Sequence, residues 1–304
     1  MKRIIITGAT GLIGSKIADK LISRGDEVVV FTRSPEKAKE KIKNAHSYVK
    51  WDYNLQGGWE ESLKETDAVI HLAGENILGS RWTEKHKEKV LQSRKIGTRN
   101  LVDAICNNGN KCKAFICASA IGYYDNDINL VVDEDSPAGN DFLADVTSNW
   151  EKEAAEVEKC NVRRVSIRIG IVLSKKGGAL EKMITPFKFF VGGPIGSGQQ
   201  WMPWIHIDDL INLFIYSLDS DVKGSLNGVS PNPVTMNTFA KTIGKVLKRP
   251  AFFKVPEFIL NIALGEAANL VTKGSKVLPK KTMSVGYKFE YENLEEALKN
   301  ILSK

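Results

Sequence analysis

A chain of 304 residues, 42% hydrophobic and 26% charged, has an ordinary soluble composition with room for one large α/β domain or two modest ones, and a core of that size needs no disulfide or structural metal. The formal charge of +7 is concentrated in residues 230–304, where twelve Lys/Arg face six Asp/Glu; without interleaved aromatics this reads as a solvated basic face and excludes a nucleic-acid platform. The longest stretch without formal charge, 189–207, is broken by glycines and prolines and so excludes a membrane helix, and the N-terminal apolar run is too short for a secretory signal, which leaves the cytoplasm as the expected location.

Strand and helix patterns alternate from the first residue, as in a parallel sheet covered on both faces. Arg3–Thr7 is a short β-branched run, Leu12–Arg24 an amphipathic helix and Glu27–Thr32 a second strand, completing one βαβ unit. A helix at 35–43, strands at 46–51 and 68–72, a long helix at 84–107, a strand at 114–118, a helix at 143–159 and a strand at 163–169 extend this to six strands. Beyond Gly170 the pattern becomes irregular. Residues 192–203 read as a Gly/Pro-rich loop, 207–218 as a helix, 225–229 as a returning strand, and 237–248, 257–272 and 293–302 as helices. The expected fold class is α/β: a Rossmann-type doubly wound parallel sheet over 1–230, with 171–205 on the substrate side, and a smaller, mainly helical C-terminal substrate lobe over 231–304. Cys106, Cys112, Cys117 and Cys160 form no CxxC pair and no zinc-type cluster, so a reduced compartment and no metal site are expected.

Gly8-Ala9-Thr10-Gly11-Leu12-Ile13-Gly14 leaves the first strand and opens the first helix. Gly8 permits a tight turn, Gly11 lets a pyrophosphate approach the backbone, and Gly14 lets the helix lie close to the strand. The loop, Thr10, Leu12 and Ile13 included, is thus the expected phosphate site at a positive helix end. After the second strand, Thr32-Arg33-Ser34 stands where an NAD site usually has Asp or Glu. A guanidinium suits a 2′-phosphate, so NADP is expected and NAD is less favoured; the alternative is a solvated Arg33 with Glu36 supplying the acid. Arg168, ending the sixth strand, faces the same crevice by topology and is a candidate for cofactor or substrate contact.

Together with His71-Leu72-Ala73-Gly74, Glu75-Asn76-Ile77, Arg81-Trp82-Thr83, Ser119-Ala120, the glycine-rich run 192–198 and Trp204-Ile205-His206-Ile207-Asp208-Asp209-Leu210, the chain resembles the extended short-chain dehydrogenase/reductases, and within them the atypical branch called epimerase family proteins. The resemblance runs the whole length and includes late motifs at 226–235, 276–281 and 286–291. It implies that His71, Leu72, Ala73 and Gly74 border the cofactor, that Arg94, in the place of a usual Asn, either reaches the cofactor or forms a surface ion pair, and that Ser119 and Tyr123 are the catalytic candidates. The parent superfamily also uses a Tyr with a Lys four residues later, and no YxxxK occurs here. His206 and Asp209 invite an acid/base role, although Asp208 or Asp209 capping the following helix is the favoured reading. Trp201 and Trp204 are expected either to wall a ligand or to clamp the lobes. The expected function is an NADP(H)-binding oxidoreductase or epimerase-like protein acting on a small molecule, nucleotide-linked substrates included; a cofactor-bound regulatory or scaffold protein with little turnover is the alternative.

Overall fold

The computed structural model describes residues 1–53, 57–109 and 111–303. The first unit is strand β1 (Arg3–Thr7), helix α1 (Leu12–Ser23) and β2 (Glu27–Thr32), followed by α2 (Pro35–Lys41), β3 (Ser47–Lys50) and β4 (Ala68–His71). The second half is α3 (Glu84–Asn108), β5 (Ala114–Ala120), the short β6 (Val131–Val132), α4 (Phe142–Ala155) and β7 (Arg163–Ile169). Apolar residues occupy both faces of the inner strands. Ile4, Ile6, Val28, Val30, Ile70 and Ile116 lie in one buried cluster with α1, while Ile5, Val29, Phe31, Val69 and Phe115 lie in a second with α3. Such double burial is why these segments read as near-continuous β-branched runs.

Beyond Gly170 come β8 (Ile171–Leu173), α5 (Gly178–Lys188), β9 (Trp201–Met202), β10 (Trp204–His206), α6 (Ile207–Asp219) and β11 (Gly224–Gly228). The central sheet has seven strands, not six, in the order β3-β2-β1-β4-β5-β7-β11, and every pairing is parallel. The extra strand is the one read as returning: Leu226 pairs with Ile167 at the sheet edge, and pairing with β7 makes a strand of Gly-Ser-Leu-Asn-Gly despite its weak local propensity. Strand order reverses between β1 and β4, which opens a crevice at their C-terminal ends. Helix α5 falls where an irregular segment was expected; its Pro186 sits in the last turn, where the helix is ending.

The chain ends with β12 (Val234–Thr235), α7 (Met236–Leu247), α8 (Glu257–Leu264), α9 (Asn269–Thr272), β13 (Lys276–Val277), α10 (Lys280–Ser284) and α11 (Leu294–Ser303). A third core joins Leu173, Phe187 and Trp204 to Phe239, Ile243 and Leu298, so α5 and β10 share their packing with α7 and α11. The buried Glu134 carboxylate fastens α10 beside β11, accepting from Asn227 N (3.0 Å), Lys281 N (3.0 Å), Thr282 N (3.1 Å) and the Thr282 hydroxyl (3.0 Å). The His206 imidazole, not an aspartate, caps α6: Nδ1 accepts from Asp208 N at 3.1 Å. Asp209 instead accepts from Glu290 N (2.7 Å) and Tyr291 N (3.0 Å), which makes it a clamp on the C-terminal segment.

Two cysteines correct the expectation of reduced thiols. Cys106 in the last turn of α3 and Cys160, just beyond α4, form a disulfide with Cα atoms 5.4 Å apart. Residues separated by 54 positions meet because the two helices pack side by side, which spacing alone does not reveal. Cys112 and Cys117 are buried thiols, both pushed up to about 12 by burial. Among the described residues no helix is long and apolar enough to cross a membrane, and no three His, Cys, Asp or Glu side chains are grouped to hold a metal.

Candidate functional site

The crevice begins at the glycine loop. Gly8 has φ +70°, and a Cβ there would lie 2.9 Å from the Leu72 carbonyl carbon, so both its backbone angle and its neighbour require glycine. At Gly14 a Cβ would lie 2.4 Å from Gly8 O, which holds α1 close against the loop. Gly11 differs, with φ −77° and Gly8 O at 3.2 Å as the only crowding atom; its side-chain direction is largely open. Gly11 is also the N-cap of α1, with no side-chain cap and no acid in the first turn, leaving positive N–H groups at the crevice. Lys41 Nζ donates to Thr10 O at 2.5 Å and steadies the loop from α2.

A buried relay fixes the opposite wall. Thr7 Oγ1 accepts from Leu72 N and Ala73 N, both at 3.1 Å, and contacts His71 Nδ1 at 2.7 Å, while His71 Nε2 meets Thr98 Oγ1 at 3.1 Å. With two donors already on Thr7 Oγ1, its proton goes to Nδ1, and His71 is the neutral Nε2–H tautomer. Burial, aided by the Arg94 charge, pushes His71 down to about 3. His71 thus lies behind the cleft wall, which Leu72, Ala73 and Gly74 line with Gly8, Thr10 and Gly11. Leu12, Ile13, Gly14 and Arg168 do not line it.

Phe31, Thr32, Arg33, Trp51, Asp52 and Tyr53 form the far end of this cleft. Arg33 is exposed, and Glu36 turns away to Lys39 at 3.7 Å with 85% of its side chain exposed. Trp51 is buried, and its indole Nε1 has no hydrogen-bond partner among the described residues. Trp51 to Tyr53 carry no motif, but a third strand ending beside β2 at a nucleotide crevice is a usable topological signal.

Arg94 stands at the junction with a second cavity. A Cβ on Gly74 would lie 3.0 Å from its Cζ, and the guanidinium centres 4.9 Å over the Trp150 ring. Nη1 donates to Glu75 O and Val90 O, each at 3.1 Å. Burial lowers Arg94 to about 10, against the opposing pull of Glu75, so it remains a cation at neutral pH. The second cavity, about 230 Å³, is bounded by Arg94, Ile121, Tyr124, Thr147, Trp150 and Trp201, with Lys273 and Gly274 from the C-terminal segment. Trp201 is therefore a wall, whereas Trp204 is fully buried in the third core.

Ser119 and Tyr123 line neither cavity, although Ala120, Ile121, Gly122 and Tyr124 do. The Ser119 hydroxyl donates to Glu151 Oε1 at 2.7 Å, and the Tyr123 ring lies 3.5 Å from the Arg168 guanidinium carbon. Arg168, only 4% exposed, is held by Glu151 through Nε (2.8 Å) and Nη2 (2.9 Å) and donates to the Tyr124 hydroxyl at 2.9 Å. Burial acts to raise the Glu151 carboxyl, but Arg168, Ser119 and Ser225 override it and hold the group below the usual carboxylate range. Reach into the crevice was the expectation for Arg168; this fork corrects it, since a guanidinium closed on a buried carboxylate has little capacity left for ligand. Glu151, which carries no sequence signal of its own, organises the region beneath the second cavity. On α4, Leu143, Val146, Thr147 and Trp150 line the cavity, and Glu151, four residues after Thr147, meets Ser119 beneath it.

Residues 4–228 match a family described as the NAD dependent epimerase/dehydratase family, and residues 255–301 match a domain of unknown function, DUF1731. An Arabidopsis thaliana protein, "Epimerase family protein SDR39U1 homolog, chloroplastic", is 40% identical over 302 residues, covering 98% of this chain and 86% of its own length. The crystal structure of human epimerase family protein SDR39U1 with NADPH has a TM-score of 0.85 and 34% identity over 99% of both chains. A nucleoside-diphosphate sugar epimerase from Corynebacterium glutamicum has a TM-score of 0.80 and 28% identity, covering 99% of this chain and 58% of that one. Matched from the glycine loop to the seventh strand and related to these proteins over nearly its whole length, the chain belongs to the NAD dependent epimerase/dehydratase family.

Proposed function

We propose that the chain binds NADP(H) in the glycine-loop cleft and reduces a carbonyl group of a small molecule held in the adjoining cavity. The observation that carries this reading is Arg94, a half-buried cation set between Gly74 of the cofactor cleft and Trp150 of the second cavity. The residues present fit the cofactor. The uncapped α1 N-terminus suits a pyrophosphate, Gly11 leaves space that a Cβ would fill, and the unpartnered Trp51 Nε1 lies by the adenosine end. Arg33 is the side chain for a 2′-phosphate, and the NADPH bound by the human relative supports the same choice. Asp52 between Trp51 and Tyr53 gives an acceptor beside aromatic surface, which suits an adenine edge.

Bound NADPH would supply a hydride to the carbonyl carbon. The residues of this chain act on the oxygen. Arg94 lines the cavity, and its Nε and Nη2 have no bond to a described residue. These donors would stabilise the negative charge that develops on the oxygen. Tyr124 is a poor proton source, since burial raises its phenol to about 12 and its proton is already given to Asn227 Oδ1 at 2.8 Å. Protonation is therefore assigned to water entering at the mouth beside Lys273. Ser119 and Tyr123 become positioning residues, acting through Glu151 and Arg168.

The test combines binding with turnover. Gly11→Val should fold, because its φ is ordinary and its Cβ meets only Gly8 O, yet it should abolish NADPH-dependent fluorescence transfer from the protein's tryptophans. A screen of carbonyl compounds and nucleotide sugars should then give substrate-dependent loss of NADPH absorbance with the wild-type chain alone. The regulatory reading is favoured by one feature, Thr147 and Glu151 facing the site in place of a Tyr/Lys pair. It predicts NADPH binding with no turnover on any substrate.

A further inference from the structure

A large apolar cavity lies apart from the cofactor cleft, between α5, α7 and the segment 193–195 on one side and Val255, Leu260, Ala267 and Val271 on the other. Its volume is about 550 Å³, within the roughly 300–1,000 Å³ of small-molecule sites. Met183, Phe187, Ile195, Phe239, Ile243 and Val271 represent its walls, and polar side chains enter from only three described lining residues: Ser80, Arg81 and Lys182. No ion pair links Arg81 or Lys182 to a described acid, and the adjacent Glu266 is taken by Lys87 at 2.5 Å. Two cations without an ion pair to a described acid, on a cavity whose walls are otherwise apolar apart from Ser80, make it complementary to an anionic amphiphile.

The surrounding surface has the same chemistry. Phe189 follows directly from α5 and is 73% exposed, Phe252 is 72% exposed and Ile262 73%. Phe253 N bonds to Gly192 O at 3.2 Å, which joins the 252–253 aromatics to the segment that walls the cavity. Lys188, Arg249 and Lys254 stand among these residues, with the Arg249 guanidinium 4.2 Å over the Phe190 ring. An exposed apolar rim on a soluble fold commonly marks a ligand or interaction surface, and its basic border selects for negative charge.

We propose that this cavity binds a single aliphatic chain carrying an anionic head group, with the chain between α5 and α7 and the head at Arg81 and Lys182. A nucleoside diphosphate is a poor occupant, because its base, ribose and two phosphates would leave most polar groups against apolar wall. The site is independent of NADPH binding, so each can fail without the other.

The experiment uses the full chain and dodecanoate as the probe, with dodecanol and UDP-glucose as comparisons. Calorimetry should give one saturable dodecanoate site, with dodecanol binding several-fold more weakly. Ala179 is an exposed lining residue at the start of α5, so Ala179→Trp plugs the entrance without overpacking the core. It should weaken dodecanoate binding by about tenfold or more while NADPH affinity stays unchanged. The surface pair Arg81→Gln and Lys182→Gln should bring dodecanoate down to the affinity of dodecanol. Absence of saturable dodecanoate binding would overturn the proposal. So would binding that neither variant alters, or saturable UDP-glucose binding that Ala179→Trp removes.

Discussion

Replacing Arg94 with Met should separate stability from function. Burial pushes the guanidinium from its ordinary value down to about 10, so the folded protein holds a cation whose lost hydration is only partly recovered by its partners. At about 1.4 kcal/mol for each tenfold in proton affinity, the unrecovered desolvation is roughly 3 kcal/mol. Met fills similar space, keeps contact with the Trp150 ring and removes the charge. It also removes hydrogen bonds to Glu75 O and Val90 O, at a cost of about 1–2 kcal/mol together. The expected balance is an apo protein as stable as wild type or more stable by about 1–2 kcal/mol, measured by urea unfolding. Turnover, by contrast, should fall by about a hundredfold or more, the scale of losing one charged donor to a developing oxyanion. A site that lowers stability for the sake of chemistry behaves in this way. Destabilisation by more than about 2 kcal/mol with turnover retained would refute the reasoning and make Arg94 a structural brace.

Three further outcomes test the supporting framework. His71 is neutral when folded and titrates only near about 3, whereas an unfolded histidine takes up its proton near 6.5; the unfolded state therefore binds the extra proton between these values, and stability falls as pH drops through that window. His71→Gln should lessen the slope of unfolding free energy against pH by up to one proton between about pH 4 and 6, and an unchanged slope would show that His71 is charged in the fold. Glu151→Gln should leave Arg168 a buried cation without its counter-ion and cost about 3–5 kcal/mol in urea unfolding, with a near-neutral result counting against the fork as drawn. Removing the Cys106–Cys160 link with paired Ser substitutions should cost about 2–4 kcal/mol, and reductant should destabilise wild type but not the variant.

What the sequence made legible follows from where each constraint resides. The strands Arg3–Thr7 and Glu27–Thr32 are readable to the residue because burial on both faces writes a β-branched run into the local text. The seventh strand is stabilised by pairing with β7, and Gly-Ser-Leu-Asn-Gly has little intrinsic preference to announce its place in the main sheet. The site divides in the same way. The glycine loop and Thr32-Arg33 are continuous segments whose chemistry is local. Arg94 against Trp150, Glu151 against Ser119 and Arg168, and Cys106 against Cys160 are meetings between elements distant in sequence. Their partners follow from helix packing, which spacing does not encode. That is why Arg168 reads as a crevice residue by strand topology yet is consumed by a carboxylate from α4.

The most direct measurement is a calorimetric titration of NADPH and NADH into the wild-type chain and Arg33→Ala. Arg33 is exposed at the cleft end and Glu36 is drawn off to Lys39, so wild type should favour NADPH. Loss of one forked, charge-assisted contact should cost about 1.5–3 kcal/mol, about ten- to a hundredfold in NADPH affinity, and leave NADH nearly unchanged. Equal affinities in wild type, or a preference that survives in Arg33→Ala, would contradict the assignment of Arg33 and of the cofactor it selects.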